Sequence, residues 1–383
     1  MFHFRKSCIA RRRRSAWAGL LVALPCLALG VLRSPEFQGG ARADGETDEA
    51  HKPVAFHSRP SVESVVFTPD GKRVIVGRQN GTIEVRSVPD GKRVATLHAP
   101  EWTNRLAVSY DGRILACANW DNAYWDNNWT EDVPLWDMCR WRPLKPIHLK
   151  GKKPCGIAFS PKENVLAIGT DKNSVVLWDL NRQAARKVLR GQAGCMQNPA
   201  FSSDGTTLAC GGGMRWVNVW DFGYDYRDIQ LLHGNAQNVR TVAFLPGKGY
   251  RVAIGGDEPV IRVVDAFTLN DVQTFRGLGP SISIEALVPV TSEVIVSAGN
   301  DATLRVWDIP SGAQLAYVPI GQLDPKRVFG SSRINCLALP PDGQTLVSGD
   351  DTEAVRFWDV PKLLRARGYT KPADCEKWRE NFN

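Results

Sequence analysis

The sequence lacks the short motifs that mark the common enzyme classes. It has no H-E-x-x-H, G-x-S-x-G or P-loop pattern, and its six His residues are scattered. The nine Cys residues include no C-x-x-C pair, and the number beyond residue 43 is seven, which is odd. Metal binding and a dense disulfide framework are therefore both unsupported, and any pairing among these cysteines stays open.

Excess charge is absent from most of the chain. Residues 1–43 carry eight Lys or Arg and one acid, whereas residues 44–383 carry 40 basic and 39 acidic residues. Phosphate-backbone binding needs an excess of positive charge, and this nearly neutral body does not have one. We therefore predict no nucleic-acid partner.

Long apolar runs are absent except for "SAWAGLLVALPCLALGVL", which follows the basic start "MFHFRKSCIARRRR". This layout is typical of an export signal, and the run is also close to the lower limit for an uncleaved membrane anchor. Either way the basic end would stay in the cytoplasm. The sequence thus predicts a periplasmic, extracellular or membrane-anchored body that meets the membrane only through residues 1–43, with residues 44–51 as a linker.

What the sequence does have is an internal repeat. "VVLWDL", "VNVWDF", "LRVWDI" and "VRFWDV" recur, with weaker copies "IEVRSV", "VPLWDM" and "IRVVDA", at spacings of 42 to 51 residues. Each copy contains several short apolar runs separated by turns, and four copies have Asp-Gly in the first turn, as in tight hairpins. Seven antiparallel four-stranded units bury their faces best when arranged radially. The Trp position is held in turn by Arg86, Trp136, Trp178, Trp220, Val264, Trp307 and Trp358.

With five Trp-Asp copies at this period, residues 52–360 resemble the WD-repeat β-propeller family. The resemblance implies an all-β, seven-bladed propeller of four-stranded antiparallel blades, followed by a tail at 361–383. It also implies that Lys52–Ser58 closes the ring as the last strand of the seventh blade, because "VPKLLRARGYTKP" is a poor fourth strand. The family's turn Asp is kept clearly only as Asp301, so we expect the buried polar network to be mostly absent.

The second repeat carries an insertion rich in tryptophan, "ANWDNAYWDNNWTEDVPLWDMCRW". The second strand of this repeat is separated from its Trp position by 21 residues, whereas the separation is 12 in the third and fourth repeats. A second insertion surrounds "GQLDPKRVFGSSR" before the last repeat. In the family such loops share one face, and blades seven, one and two are consecutive in a closed ring, so both insertions should rise from one sector of that face.

Three interpretations of this loop stay open. It could pack onto the propeller for stability. It could hold calcium through Asp121, Asp126, Glu131 and Asp132, although that spacing matches no known calcium loop. It could bind a protein partner, because aromatic residues and Arg anchor interfaces. The residues predicted for that surface are Trp102, Trp120, Tyr124, Trp125, Trp129, Arg327 and Phe329.

The sequence therefore favours a protein-interaction scaffold without a cofactor, a metal or catalytic residues. The alternative is a catalytic propeller of the quinone-cofactor or metal-dependent hydrolase type, with charged residues from several blades converging on the central channel. Second strands such as "RVIVG" and "VLAIG" are apolar and leave few candidates for such a site.

Overall fold

A computed structural model describes residues 60–365, apart from 89, 101–102, 104, 120–129, 192–193, 214, 225–226, 232–236, 248–249, 280–281 and 321–332. Antiparallel sheets follow one another along this part of the chain, each made from consecutive strands. Six of the seven main sheets have four strands, and the last has three among the described residues. These are the seven blades that the repeat predicts, and the fold class is confirmed.

Blade 1 contains β1 (Val62–Phe67), β2 (Arg73–Arg78), β3 (Thr82–Ser87) and β4 (Arg93–His98). Blade 2 contains β5 (Arg105–Val108), β6 (Ile114–Ala118), β7 (Asp132–Val133), β8 (Leu135–Asp137), β9 (Arg142–Pro143) and β10 (Ile147–His148). Blade 3 contains β11 (Pro154–Phe159), β12 (Val165–Thr170), β13 (Ser174–Asp179) and β14 (Ala184–Arg190). Blade 4 contains β15 (Met196–Phe201), β16 (Thr207–Gly212), β17 (Val217–Asp221) and β18 (Arg227–Leu231), with a 3-10 turn at Phe222–Tyr224.

Blade 5 contains β19 (Val239–Phe244), β20 (Arg251–Gly256), β21 (Ile261–Asp265) and β22 (Asp271–Phe275). Blade 6 contains β23 (Ile284–Pro289), β24 (Val294–Gly299), β25 (Thr303–Asp308) and β26 (Gln314–Pro319). Blade 7 contains β27 (Ile334–Ala338), β28 (Thr345–Asp350) and β29 (Val355–Asp359), and the chain then forms α1 (Val360–Arg365). The helix agrees with the prediction that this segment is not a fourth strand. Lys52–Ser58, the predicted closing strand, lies outside the described residues.

The first strands of the blades form the inner ring. Each first strand contacts the first strand of the next blade, and β27 of the last blade contacts β1 of the first. At this junction the side-chain amide of Asn335 donates to the carbonyl of Val62 at 3.0 Å. Val62 is also buried in one apolar cluster with Val347 and Phe357 of blade 7. The circle is therefore closed by packing between the first and last blades.

All blades point the same way along the channel. Because paired strands are antiparallel, each first strand begins where the second strand ends, and we call that end the upper face. Gly169 is the penultimate residue of β12. A Cβ added to it would lie 2.1 Å from the carbonyl oxygen of Met196 at the start of β15. A Cβ at Gly349 would lie 2.3 Å from Val62. Neighbouring blades thus meet so closely at the upper face that only glycine fits at these two positions.

The lower face carries the predicted Asp-Gly turns. Gly71, Gly112, Gly205 and Gly343 all have φ between 67° and 72°, which glycine adopts without steric cost. In each turn the preceding aspartate accepts a hydrogen bond from the backbone N–H two residues further on, as Asp70 does from Lys72 at 3.0 Å. The hydroxyl of Thr68 also donates to Asp70, which holds the pKa of that carboxyl below its usual value. The Asp-Gly motif therefore forms the hairpins that the sequence predicts.

The repeat tryptophans pack between blades. Trp136, Trp220, Trp307 and Trp358 are at most 4% exposed, and Trp178 is partly buried against the cluster between blades 2 and 3. In blade 1, where Arg86 replaces Trp, its guanidinium instead pairs with Glu84 at 2.8 Å. In blade 2 the third strand is interrupted at Pro134 into β7 and β8, and the carbonyl of Pro134 still accepts from the N–H of Cys117 at 3.1 Å.

The buried polar network that is typical of the family is present in blades 6 and 7. Asp301 accepts from the hydroxyl of Thr303 at 2.8 Å and from Arg305 at 2.7 Å, and the indole N–H of Trp307 donates to Ser297 at 2.9 Å. In blade 7, Asp350 bonds in the same way to Thr352 and Arg356, and Trp358 donates to Ser348 at 2.9 Å. The sequence identified Asp301 but missed Asp350, which ends its strand instead of standing in the turn. No helix in the described part of the chain is long and apolar enough to cross a membrane.

Candidate functional site: the channel and the upper face

Irregular pairing in the first strands supplies the polar groups of the channel. Six of these strands shift register by one residue near the upper face. Such β-bulges re-aim side chains out of the sheet. The residues at these shifts are Glu63, Cys155, Asn198, Arg240, Glu285 and Asn335.

Arg105 of blade 2 lies at the centre of this group. The charges that act on its guanidinium come from Glu63 of blade 1, Glu285 of blade 6 and Arg240 of blade 5, and the thiol of Cys336 in blade 7 is a further neighbour. Only a side chain in the channel can have neighbours from so many blades. Burial lowers the pKa of Arg105, and the acidic neighbours counteract this effect.

Asn198 links Arg105 to the other side of the channel. Its side-chain oxygen accepts from Nε of Arg105 at 2.5 Å, and its amide nitrogen donates to the carbonyl of Arg240. It has φ of 51°, in the left-handed region that Asn tolerates better than most residues. A Cβ at Gly156, in blade 3 between them, would lie 2.6 Å from the backbone nitrogen of Asn198. The side chain of Asn198 therefore connects blades 2 and 5 through its two hydrogen bonds, and the absence of a Cβ at Gly156 leaves room for its backbone.

Arg240 forms two ion pairs in the channel. Its guanidinium binds the carboxylate of Asp257 and lies 3.2 Å from Glu285, which also accepts from the hydroxyl of Ser283 at 2.8 Å. Arg333 lies 3.9 Å from the same Glu285. Burial alone would lower the pKa of Arg240, but Glu285 and Asp257 outweigh it and the pKa is raised. Arg240 is thus held fully charged by two carboxylates.

The polar residues of the channel form ion pairs and hydrogen bonds with one another. They are Arg, Asn, Glu, Asp and Ser, so none has an ordinary pKa near neutrality. The nearby Cys336 thiol has its pKa raised by burial and is kept protonated. No three His, Cys, Asp or Glu residues in the described part of the chain are grouped so as to hold a metal ion.

A cavity of about 280 Å³ opens between blades 1 and 2. His98 and Ala99, at the end of β4, form one wall, and Pro134, Leu135 and Trp136 form another. Further lining comes from Pro143, Leu144 and Pro146. Prolines, leucine and the indole make it mainly apolar, with a few polar groups at its edge. This composition is typical of sites that bind an apolar group and orient it with a few hydrogen bonds.

All seven residues predicted for partner binding lie outside the described residues. These are Trp102, Trp120, Tyr124, Trp125, Trp129, Arg327 and Phe329, together with Asp121 and Asp126 of the possible calcium site. The other two residues of that site, Glu131 and Asp132, instead flank His148, with Asp132 at 2.8 Å from its Nδ1. Asn119 and Thr130, on either side of segment 120–129, both line the cavity.

One disulfide joins Cys155 of blade 3 to Cys195 just before blade 4, over a sequence separation of 40 residues. Spacing alone could not select this pair among seven cysteines. Cys117 and Cys210, which the sequence suggests are small buried residues, are 1% and 0% exposed and do not form a disulfide. The channel residues were also missed, because their shared position appears only when the repeats are aligned on the bulges.

Known proteins resemble the chain in sequence. The family model "WD domain, G-beta repeat" matches residues 323–359. A guanine nucleotide-binding protein subunit beta from Arabidopsis thaliana is 24% identical over 88% of the chain and 90% of its own length. The anaphase-promoting complex subunit cdc20 from Dictyostelium discoideum is 23% identical over 74% of the chain and 54% of its own length.

These relatives contradict the predicted location. They are intracellular proteins, so the prediction of a periplasmic, extracellular or membrane-anchored propeller outside the cytoplasm is wrong. That prediction depended on a basic start and an apolar run in residues 1–43. Hydropathy and charge measure only composition, and they do not distinguish an export signal from other apolar segments. A membrane contact through this segment has no support.

The solved structure titled "Structure of U3-55K" shares the fold, with a TM-score of 0.63 over 76% of this chain and 88% of that one, at 16% identity. At that identity the likeness shows the architecture alone. It agrees with the seven blades, the Trp-Asp repeats and the matched family model. The chain thus has the repeats and the fold of the WD-repeat β-propeller family.

Proposed function

We propose that this propeller is a non-catalytic protein-interaction scaffold that holds its partner on the upper face, with the cavity between blades 1 and 2 as the anchor point. The cavity is the observation that carries the proposal. Its volume of about 280 Å³ is enough for one large apolar side chain and its neighbours. Buried apolar anchors at the centre of an interface supply most of its binding energy.

The position of the predicted aromatic surface in the sequence also supports partner binding on the upper face. The chain leaves the cavity wall at Asn119 and returns to it at Thr130, so the segment that contains the predicted tryptophans begins and ends at the cavity. Trp102 follows Pro100, another lining residue, by two positions. The partner-binding role of this segment, and that of Arg327 and Phe329, stays a prediction. The relatives are consistent with protein partners.

The catalytic alternative has one observation in its favour, which is the convergence of Glu63, Arg105, Arg240 and Glu285 on the channel. In this cluster Arg240 holds Glu285 and Asp257 in ion pairs, and a carboxylate held in this way is a poor general base. The relatives, which are subunits of larger assemblies by name, support a binding role instead.

The test fills the cavity without touching the backbone. Ala99→Arg puts a long side chain into the cavity, while the backbone N–H of Ala99 still donates to Gly81 at 2.8 Å. Asn181→Arg adds the same side chain at an exposed turn on the lower face and is the matched control. Tagged proteins capture partners from an extract of the source organism, and mass spectrometry identifies them.

We expect wild type and Asn181→Arg to capture the same proteins, and Ala99→Arg to lose them while its circular dichroism stays unchanged. If Ala99→Arg captures the full set, the cavity is not the anchor. If the wild type captures no protein above the level of an untagged control, the scaffold proposal itself is wrong.

A further inference from the structure

Positive charge is concentrated in one sector of the ring. Residues 138–191, which include the end of blade 2 and all of blade 3, carry 12 Lys or Arg and three acids. The body as a whole is balanced, with 40 basic and 39 acidic residues in 44–383. The rest of 44–383 therefore carries 28 basic and 36 acidic residues, and the near-zero net charge conceals this asymmetry.

On the upper face this asymmetry becomes a row of cations across blade 3. Lys152 and Lys153 precede the inner strand β11, Lys172 lies in the turn between β12 and β13, and Arg190 ends the outer strand β14. Backbone hydrogen bonds hold the three segments side by side. The N–H of Asp171 donates to the carbonyl of Lys153 at 3.1 Å, and the N–H of Gly191 donates to the carbonyl of Asn173 at 2.8 Å.

The spacing of this row follows from sheet geometry. Strands lie about 4.8 Å apart, so the turn after β12 is about 7 Å from β11, and β14 is about 14 Å from it. In an extended peptide every second side chain points the same way, at intervals of about 6.7 Å. Carboxylates at alternate positions of an extended segment would therefore meet one cation after another.

The row is accessible to such a segment. Lys172 and Arg190 are exposed, and Lys152 is partly exposed. The acid within the row, Asp171, has a side chain that is 19% exposed, and its pair with Lys172 at 3.0 Å leaves that lysine 59% exposed. Exposed ion pairs of this kind are weak and are readily exchanged for others.

The same turn carries acidic residues in blades 5 to 7. Blade 5 has Asp257 and Glu258 after its second strand, blade 6 has Asp301, and blade 7 has Asp351. An acidic segment on the upper face would therefore meet cations at blade 3 and carboxylates at the corresponding turns of blades 5 to 7. This difference in charge favours blade 3 as the place where an acidic chain docks.

We infer that the upper end of blade 3 docks an extended acidic segment of the protein partner, in which Asp or Glu occupies alternate positions. The inference rests on the proposed function and names the chemistry of its partner. The cavity between blades 1 and 2 would hold an apolar side chain, and the row of cations would select and orient the acidic part of the same chain.

The test uses the purified full-length protein and fluorescent peptides of about ten residues. One peptide alternates Glu with Ser, a second has Gln in place of Glu, and a third has its Glu residues together in one half. Anisotropy titrations measure their affinities at low and at physiological ionic strength. A single-stranded oligonucleotide serves as the competing polyanion.

Two triple variants are compared, which change the net charge by the same amount but at different places on the surface. Lys152→Glu, Lys172→Glu and Arg190→Glu are combined to reverse the row. Arg140→Glu, Lys162→Glu and Arg182→Glu are combined as the control, because they lie in turns on the lower face of the same sector and change the net charge equally. We expect the row variant to weaken binding of the alternating peptide roughly tenfold or more, and the control to change it little.

Four results would overturn the inference: equal weakening by both variants, equal binding of the clustered and alternating peptides, equal binding of the Gln peptide, or preferential binding of the oligonucleotide at the row. The peptide assay needs no natural partner, so its failure is distinct from that of the scaffold. Peptide binding at the row without any captured protein counts against the scaffold alone, and a captured protein without peptide binding counts against the acidic segment alone.

Discussion

The hydrogen bond between Trp307 and Ser297 should contribute measurably to stability. Both side chains are almost fully buried, at 4% and 1% exposure, and the indole N–H lies 2.9 Å from the hydroxyl oxygen. Ser297→Ala removes the acceptor and hardly changes the volume, so water cannot replace it. Leaving a buried donor unsatisfied costs about 1–3 kcal/mol, and we expect the free energy of unfolding to fall by about 2 kcal/mol.

A double-mutant cycle isolates this bond from other effects. Trp307→Phe removes the N–H and keeps an aromatic ring, so Ser297→Ala in that background should cost less than about 1 kcal/mol. Urea unfolding followed by circular dichroism gives all four free energies without relying on tryptophan fluorescence. An equal cost of Ser297→Ala in both backgrounds would show that the bond contributes nothing.

Blade 3 offers the reverse experiment on the same bond. Trp178 has a buried Nε1 without a partner, and Ile168 occupies the position that Ser297 holds in blade 6. Ile168→Thr adds an acceptor there, whereas Ile254→Thr makes the same change in blade 5, where Val264 replaces Trp. Ile168→Thr should therefore be less destabilising by about 1 kcal/mol, and a larger loss than in Ile254→Thr would contradict this account of the network.

Two further predictions concern the joints of the ring. Deleting 44–58 should lower the thermal midpoint well below that of a protein lacking only 44–51, because Lys52–Ser58 is predicted to pair with the outer edge of blade 7. Equal midpoints would refute the predicted closing strand. Replacing both Cys155 and Cys195 by Ser should lower the free energy of unfolding in urea by up to about 4 kcal/mol, since the bond closes a loop of about 40 residues. An unchanged midpoint under conditions that keep the wild-type bond oxidised would show that it adds no stability.

Much of the fold could be predicted because the repeat is local. The Trp-Asp copies at 42 to 51 residues give the number of blades, and the Asp-Gly pairs give the first turns. Both signals depend on the backbone geometry of a few adjacent residues, such as the positive φ at Gly71. The departure at Arg86 was also visible, although its pairing with Glu84 was not. The export prediction failed because the composition of residues 1–43 has more than one interpretation.

The sequence by itself determined the period, the strands and the tryptophans between blades, because burying an alternating strand constrains only its nearest neighbours. Only the tertiary structure decided which polar residues meet. Arg105, Asn198 and Arg240 are separated by at least 42 residues, yet they bond in one channel because closing the ring brings every first strand to one axis. Likewise the lysines and Arg190 of blade 3 form a row because antiparallel pairing places one end of each strand beside the next. Such groupings depend on the register between distant segments, which local patterns do not specify.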